Sequence, residues 1–193
     1  MSLKERIYSV LVVSASGKFN SALPALLPES RYSPVQYVGG ISAARRLLSD
    51  RSFDFIIINS PLNDGTGSSF AADCCERSSS AVLLLIKGEL YAEVYDKISS
   101  SGSFLLSKPV SKQNMTLALE WMGSTRERLR QHEAESQSFE EKMNEIRSVN
   151  RAKWILISQQ GMDEPQAHRY IEKQAMDRGI SRKDVAMEII QKK

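Results

Sequence analysis

From Arg151 onward the chain carries nine basic residues against six acidic ones, while the other 17 bases and 17 acids cancel, so the formal net charge of +3 sits wholly in the C-terminal quarter. Positive side chains gathered in a short segment suit phosphate, because lysine and arginine contacts to a nucleic-acid backbone supply salt-dependent affinity without reading sequence. The alternative is a solvated helical surface on which the same charges only confer solubility. Arg169, Lys173, Arg182 and Lys183 lie in segments whose apolar residues occupy other positions, so their side chains are free to project outward, as is that of Arg151 at the start of the segment. Trp154 and Tyr170 offer ring faces on which an unpaired base can stack, a contact worth about 1–3 kcal/mol. Tyr170 shares a helical face with Ala167, Ile171 and Ala175 and is expected in the core, whereas the placement of Trp154 stays open.

Other chemistries find little support. The two cysteines, Cys74 and Cys75, are adjacent, which disfavours a mutual bridge, and with two histidines they leave no metal-ligand spacing. They read as idle thiols, and His168 reads as a surface or partly packed residue. Ser14-Ala15-Ser16-Gly17-Lys18 could offer hydroxyl and amide donors to a phosphate at a helix start, as in flavin-binding proteins of the flavodoxin type. Neither a P-loop nor a Gly-x-Gly-x-x-Gly motif accompanies it, and no aromatic flanks stand ready to sandwich a flavin. A plain helix-start loop is the simpler reading. No catalytic residue, metal or cofactor is expected.

The elements that must position these residues fall into three stretches. Over residues 151–193 three short amphipathic helices are separated by explicit punctuation. Gly161 suits a left-handed C′ position, then Asp163, Pro165 and Gln166 supply an N-cap, an early proline and a capping-box partner. Gly179 and Ser181 repeat that grammar, and Ala152, Ala167, Ala175 and Ala186 read as close-packing positions of a miniature bundle. Over residues 1–110, apolar runs rich in β-formers alternate with helical patterns, with strands expected at Tyr8–Val13, Val35–Val38, Phe53–Asn59, Val82–Ile86 and Phe104–Leu106. The third and fourth are apolar throughout, as central parallel strands covered on both faces should be. The fold class is α/β plus α: a flavodoxin-like five-stranded parallel sheet of order 2-1-3-4-5 and a small helical bundle. Between them, 111–150 reads as a helical linker in which Met122, Leu129, Phe139, Met143, Ile146 and Val149 approach coiled-coil spacing. At 193 residues two domains are the natural count, and no apolar run reaches the roughly 20 residues of a membrane span, so a cytoplasmic protein is expected.

Two resemblances follow from the residues. Ala152-Lys153-Trp154-Ile155-Leu156, Ala167, Gln174-Ala175-Met176-Asp177 and Val185-Ala186 resemble the ANTAR pattern over the last quarter of the chain, departing at Trp154, where that family usually has glycine. Asp54-Phe55-Ile56-Ile57-Ile58-Asn59, Asp64-Gly65 and Ser107-Lys108-Pro109 resemble a response-regulator receiver domain. The second resemblance stops short of the chemistry. Ser14-Ala15 replaces the acidic pair, Asn59 occupies the phosphoacceptor position, and Ile86 or Lys87 stands where the hydroxyl belongs; Lys108 alone is retained. Magnesium wants hard oxygen ligands, carboxylates above all, and an asparagine amide accepts no phosphoryl group. Asp64 is an alternative acceptor by position, but a loop carboxylate before glycine is more often a turn residue.

The resemblances imply an ANTAR-domain response regulator whose pseudo-receiver is not phosphorylated and whose bundle binds tandem stem-loops in leader transcripts to prevent termination. They single out Arg151, Lys153, Trp154, Arg169, Lys173, Arg182 and Lys183 as RNA-binding candidates, with Lys153 at the family's lysine position and its charge reversal as the diagnostic substitution. Paired stem-loops favour a homodimer, and control could come from a protein partner, a small molecule or expression level. The competing readings are a DNA-binding regulator with a helix-turn-helix, a flavodoxin-like cofactor protein, and a pure interaction adaptor. Against the DNA reading, the third helix lacks the Asn, Gln or Arg series of a groove-reading surface.

Overall fold

A computed structural model of the chain describes residues 6–191. Five parallel strands, β1 (Tyr8–Val13), β2 (Tyr32–Val38), β3 (Phe55–Asn59), β4 (Ala81–Lys87) and β5 (Phe104–Lys108), form one sheet of order β2-β1-β3-β4-β5. The helices are α1 (Gly17–Ala22), α2 (Ile41–Asp50), α3 (Ser68–Arg77), α4 (Tyr91–Ile98), α5 (Lys112–Gln160), α6 (Glu164–Arg178) and α7 (Arg182–Gln191). Successive strand side chains alternate between faces, and the two cores sort accordingly. Val10, Val12, Phe55, Ile57, Leu83 and Leu85 pack against Leu23, Leu27 and the start of α5, while Leu11, Val13, Ile56, Ile58, Val82 and Ile86 pack against α2, α3 and α4. Because both faces are covered, β3 is buried at every position, and only Lys87 of β4 reaches solvent.

The chain divides into two compact units, one up to Gln131 and one from His132, with α5 contributing to both. This differs from the expected linker over 111–150. Met115, Ala118, Leu119 and Met122 recur at helical spacing and are buried in the core of the first unit, so Met122 is a sheet-packing residue and not a coiled-coil position. The same helix is fastened further along by charge: Arg126 Nε and Arg130 Nη2 donate to Asp54 Oδ1 at 2.9 and 2.7 Å. Asp54 Oδ2 accepts from the backbone and hydroxyl of Ser9, each at 3.0 Å. That engagement at the foot of the sheet starts β3 at Phe55, two residues later than expected. At the edge of the sheet, β2 starts three residues earlier than expected, its Pro34 tolerated because β2 is an edge strand.

The second unit is a three-helix bundle made by the end of α5, α6 and α7. Its buried residues are Ala152, Leu156, Ala167, Ile171, Ala175, Val185 and Ala186. All four alanines read as close-packing positions lie in this core. Gly161 and Gly179 adopt φ of +65° and +62°, the left-handed turn that side chains with a Cβ disfavour. Asp163 caps α6 through the Gln166 amide, while the Gln166 side chain accepts from the Asp163 amide, completing the capping box. Ser181 and Asp184 make the equivalent exchange at α7.

Candidate functional site

In the first unit, the carboxyl ends of β1, β3 and β5 bring together the residues at the receiver-type positions. Asn59 Nδ2 donates to Ser14 Oγ at 3.0 Å, and Lys108 Nζ donates to Asn59 Oδ1 at 2.8 Å and to the Ser60 carbonyl. Ser14 Oγ also accepts the Ser16 amide at 3.2 Å. Ser14 and Asn59 are buried, and burial of their polar groups is tolerated because each finds a partner within the network. The lysine that would face a phosphoryl group thus rests on an amide and a main-chain carbonyl. Burial, reinforced by the neighbouring Lys87 cation, pushes the Lys108 ammonium below the ordinary lysine range.

Asp64 is engaged elsewhere. Its Oδ1 accepts the Ile41 amide and its Oδ2 the Ser42 amide, both at 2.9 Å, so this loop carboxylate caps α2 from 22 and 23 residues away. Hydrogen bonds from Ser42 and Ile41 hold its carboxyl below the usual range. A Cβ on Gly40 would come within 2.7 Å of Asp64 Oδ1, so the bare glycine at the N-cap is what admits the carboxylate. The Ser14–Lys18 segment also turns inward on itself, Ser16 Oγ accepting the Phe19 amide, which leaves its hydroxyls occupied as a plain helix-start loop. Burial pushes the Cys74 thiol up to about 12 and the Cys75 thiol up to about 11, so neither is a ready thiolate. Among the described residues, no group of three or more His, Cys, Asp or Glu could hold a metal ion, and no helix is long and apolar enough to cross a membrane.

The second unit sorts the basic residues into two sets. Lys153 Nζ donates to Glu164 Oε1 at 3.0 Å with only 16% of its side chain exposed. Arg178 makes a two-pronged pair with Glu188 at 2.7 and 2.6 Å, and Arg182 lies within 3.1 Å of Glu145 and 3.8 Å of Glu172. Arg151, Arg169, Lys173 and Lys183 are exposed and have no ion-pair partner among the described residues. Lys192 and Lys193, counted in the C-terminal excess, lie outside the described residues. Arg169 and Lys173, one turn apart on α6, line a shallow hollow of about 610 Å³ with Met176 and Arg182. Arg151 and Trp154 stand one turn apart on α5, and Trp154 is 71% exposed.

Two expectations change. Tyr170 is exposed at 39% and not part of the core, because Ala167, Ile171 and Ala175 define the centre of the buried stripe and Tyr170 falls about 100° from it. Lys153 is also a poor subject for charge reversal, since a glutamate there would confront Glu164 and alter packing along with any phosphate contact. His168 is a partly exposed neighbour of Glu172, at 3.2 Å.

Comparison with known proteins adds to this geometry. Residues 137–190 match the ANTAR domain family model. Over 183 residues the chain is 24% identical to Transcriptional regulatory protein PdtaR of Mycobacterium tuberculosis, covering 94% of this chain and 89% of that protein. In structure it is similar to the signal receiver domain of an HD domain-containing protein from Pseudomonas fluorescens Pf-5, with a TM-score of 0.58 and 23% identity, covering 68% of this chain and 96% of that one. It is also similar to the non-phosphorylated HemR receiver domain from Leptospira biflexa, with a TM-score of 0.53 and 22% identity over 60% of this chain and 94% of that one.

Proposed function

We propose that this chain, a receiver-like domain fused to an ANTAR domain, is a regulatory protein of the response-regulator superfamily that binds tandem stem-loops in leader RNA and prevents transcription termination. The observation that carries this reading is the ANTAR match over 137–190, which coincides with a bundle where Arg151, Arg169, Lys173 and Lys183 are exposed without an ion-pair partner among the described residues and Trp154 is exposed. Arg169 and Lys173 approach backbone phosphates, Arg151 and Lys183 extend that contact, and Trp154 stacks on a loop base. Lys153 and Arg182 act indirectly, through the carboxylates they hold. A second copy covers Phe139 and Ile146, which are 65% and 52% exposed on α5 with Met143 between them, so that two bundles meet two stem-loops. The domain division that follows is a receiver-like domain with the start of α5 built in, and an RNA-binding domain that includes the end of that helix.

The test uses Arg169→Glu/Lys173→Glu together, because both side chains are exposed and neither supports a neighbour. Its affinity for a tandem stem-loop leader RNA is expected to fall at least about tenfold, and the slope of log K against log salt to flatten by about two. The circular dichroism spectrum and melting temperature should match the wild type. Undiminished affinity in this variant, or duplex DNA competing as well as the RNA, would reject the reading.

The receiver-like domain regulates without aspartyl phosphorylation. Incubation with acetyl phosphate and magnesium is expected to add no phosphoryl mass to the intact protein. The Asn59→Asp variant is expected to behave the same way, since Ser14 and Ala15 still bring no carboxylate to a metal. Magnesium-dependent phosphate uptake by the wild type would overturn this.

A further inference from the structure

The face of the sheet carrying α1 and α5 holds a cleft of about 400 Å³ between those two helices. Leu85 of β4 and Met115 of α5 reach it from the core, and Phe19, Leu26 and Val110 line it. A second hollow of about 660 Å³ opens over Ser16, Asn59 and Ser60 and shares Phe19, Ala22, Lys108 and Pro109 with the first. An apolar chamber and a polar one therefore meet at Lys108. Lys112 borders the former and Lys18 the latter, and no carboxylate lines either.

The cleft opens to solvent and its walls are mostly apolar, so an apolar ligand body would displace water from them. Three lysines gathered without a counter-charge invite an anion. Lys108 commits two of its three ammonium donors, to Asn59 and Ser60, leaving one for a ligand.

We propose that this cleft binds a small amphipathic anion, an aromatic or branched carboxylic acid. Its apolar body lies against Phe19, Leu26 and Met115, and its carboxylate accepts the remaining N–H of Lys108. The volume suits a body of about ten to fifteen non-hydrogen atoms. A free nucleotide would place polar groups against apolar walls with nothing to bond them. The floor of the site is the first turn of α5, the helix that continues to Gln160 in the ANTAR domain.

The probe is 4-phenylbutyrate, compared with the neutral 4-phenylbutan-1-ol, titrated into the full-length protein with methionine methyl groups observed by NMR. The acid is expected to shift the Met115 methyl saturably and the alcohol to bind about tenfold more weakly, the loss of one charge-assisted hydrogen bond. Ala22→Trp, at an exposed position bordering both chambers, is expected to block the acid while preserving the melting temperature; Lys108→Met should erase the preference for acid over alcohol. Equal binding of acid and alcohol, no saturable Met115 shift, or undiminished binding in Ala22→Trp would each overturn the proposal. If Lys108→Met fails to fold, the acid and alcohol comparison and Ala22→Trp still decide it. RNA affinity enters none of these readouts, so the outcome is separate from that of the RNA-binding test.

Discussion

Asp54→Ala is expected to destabilise the first unit by about 3 kcal/mol, the lower end of what removing one partner from a buried ion pair costs. The Asp54 side chain is 14% exposed and its two oxygens accept four hydrogen bonds, two from Ser9 and one each from Arg126 and Arg130. Alanine leaves the guanidinium of Arg126, also 14% exposed, without that carboxylate; Arg130, at 31%, is better hydrated, which tempers the loss. The same contacts give the effect a pH signature. Burial works against the charged carboxylate, but the Ser9 and Arg126 hydrogen bonds outweigh it and hold the group below its ordinary 3.8. A carboxyl whose folded pKa is depressed contributes stability in full above its unfolded value, and that contribution is lost as pH falls through the folded one. Urea unfolding from pH 7 down through the carboxylate range should therefore show a decline in the wild type that is shallower in Asp54→Asn. Identical pH slopes would remove Asp54 from the clamp.

Ile171→Ala is expected to cost the C-terminal helical bundle about 2–5 kcal/mol, the range for truncating a fully buried isoleucine. The bundle is small, its core holds seven buried residues, and four of those are alanines with little side chain to contribute. Ile171, Leu156 and Val185 are therefore the only large side chains fully buried at its centre among the described residues, with partly buried residues such as Ile180 and Ile189 packed around them. A domain of this size has limited stability in reserve, so the variant should lose protection from amide exchange in α6 and α7 while the sheet keeps its own. RNA binding should disappear with it although Ile171 faces no solvent, which makes this variant the contrast to Arg169→Glu/Lys173→Glu. Retained exchange protection in α6 and α7 would show that the core has its anchor elsewhere.

What the sequence made legible were features encoded locally. Helix punctuation at Gly161, Asp163, Gly179 and Ser181 needs only a few neighbouring residues, and the unbroken apolar runs of β3 and β4 announce strands covered on both sides. The receiver-type positions Asn59 and Lys108 were legible because strand ends place them. Contacts closing across long separations were not. The pairing of Asp54 with Arg126 and Arg130 spans 72 and 76 residues, and nothing near Asp54 marks its partners. Met122 could be assigned to either of two helical stripes, since periodicity gives a face but not what covers it. Tyr170 failed for a related reason: at the margin of a stripe, a ring with a polar tip settles in solvent while small residues nearby close the core. The pairing of Lys153 with Glu164 likewise depended on how one helix lies against the next.

The double hold of Asp64 on the amides of Ile41 and Ser42 bears on more than the start of one helix. It staples the loop after β3 to the start of α2, and Ser60 and Pro61, which edge the polar chamber, belong to the stapled loop. Such a rim is pre-set. The entropy of ordering it falls on folding instead of on recognition, so a visitor to the chamber meets a fixed shape and retains more of its contact energy as affinity. Asp64, which the sequence offered as an alternative acceptor, has here become part of the scaffold.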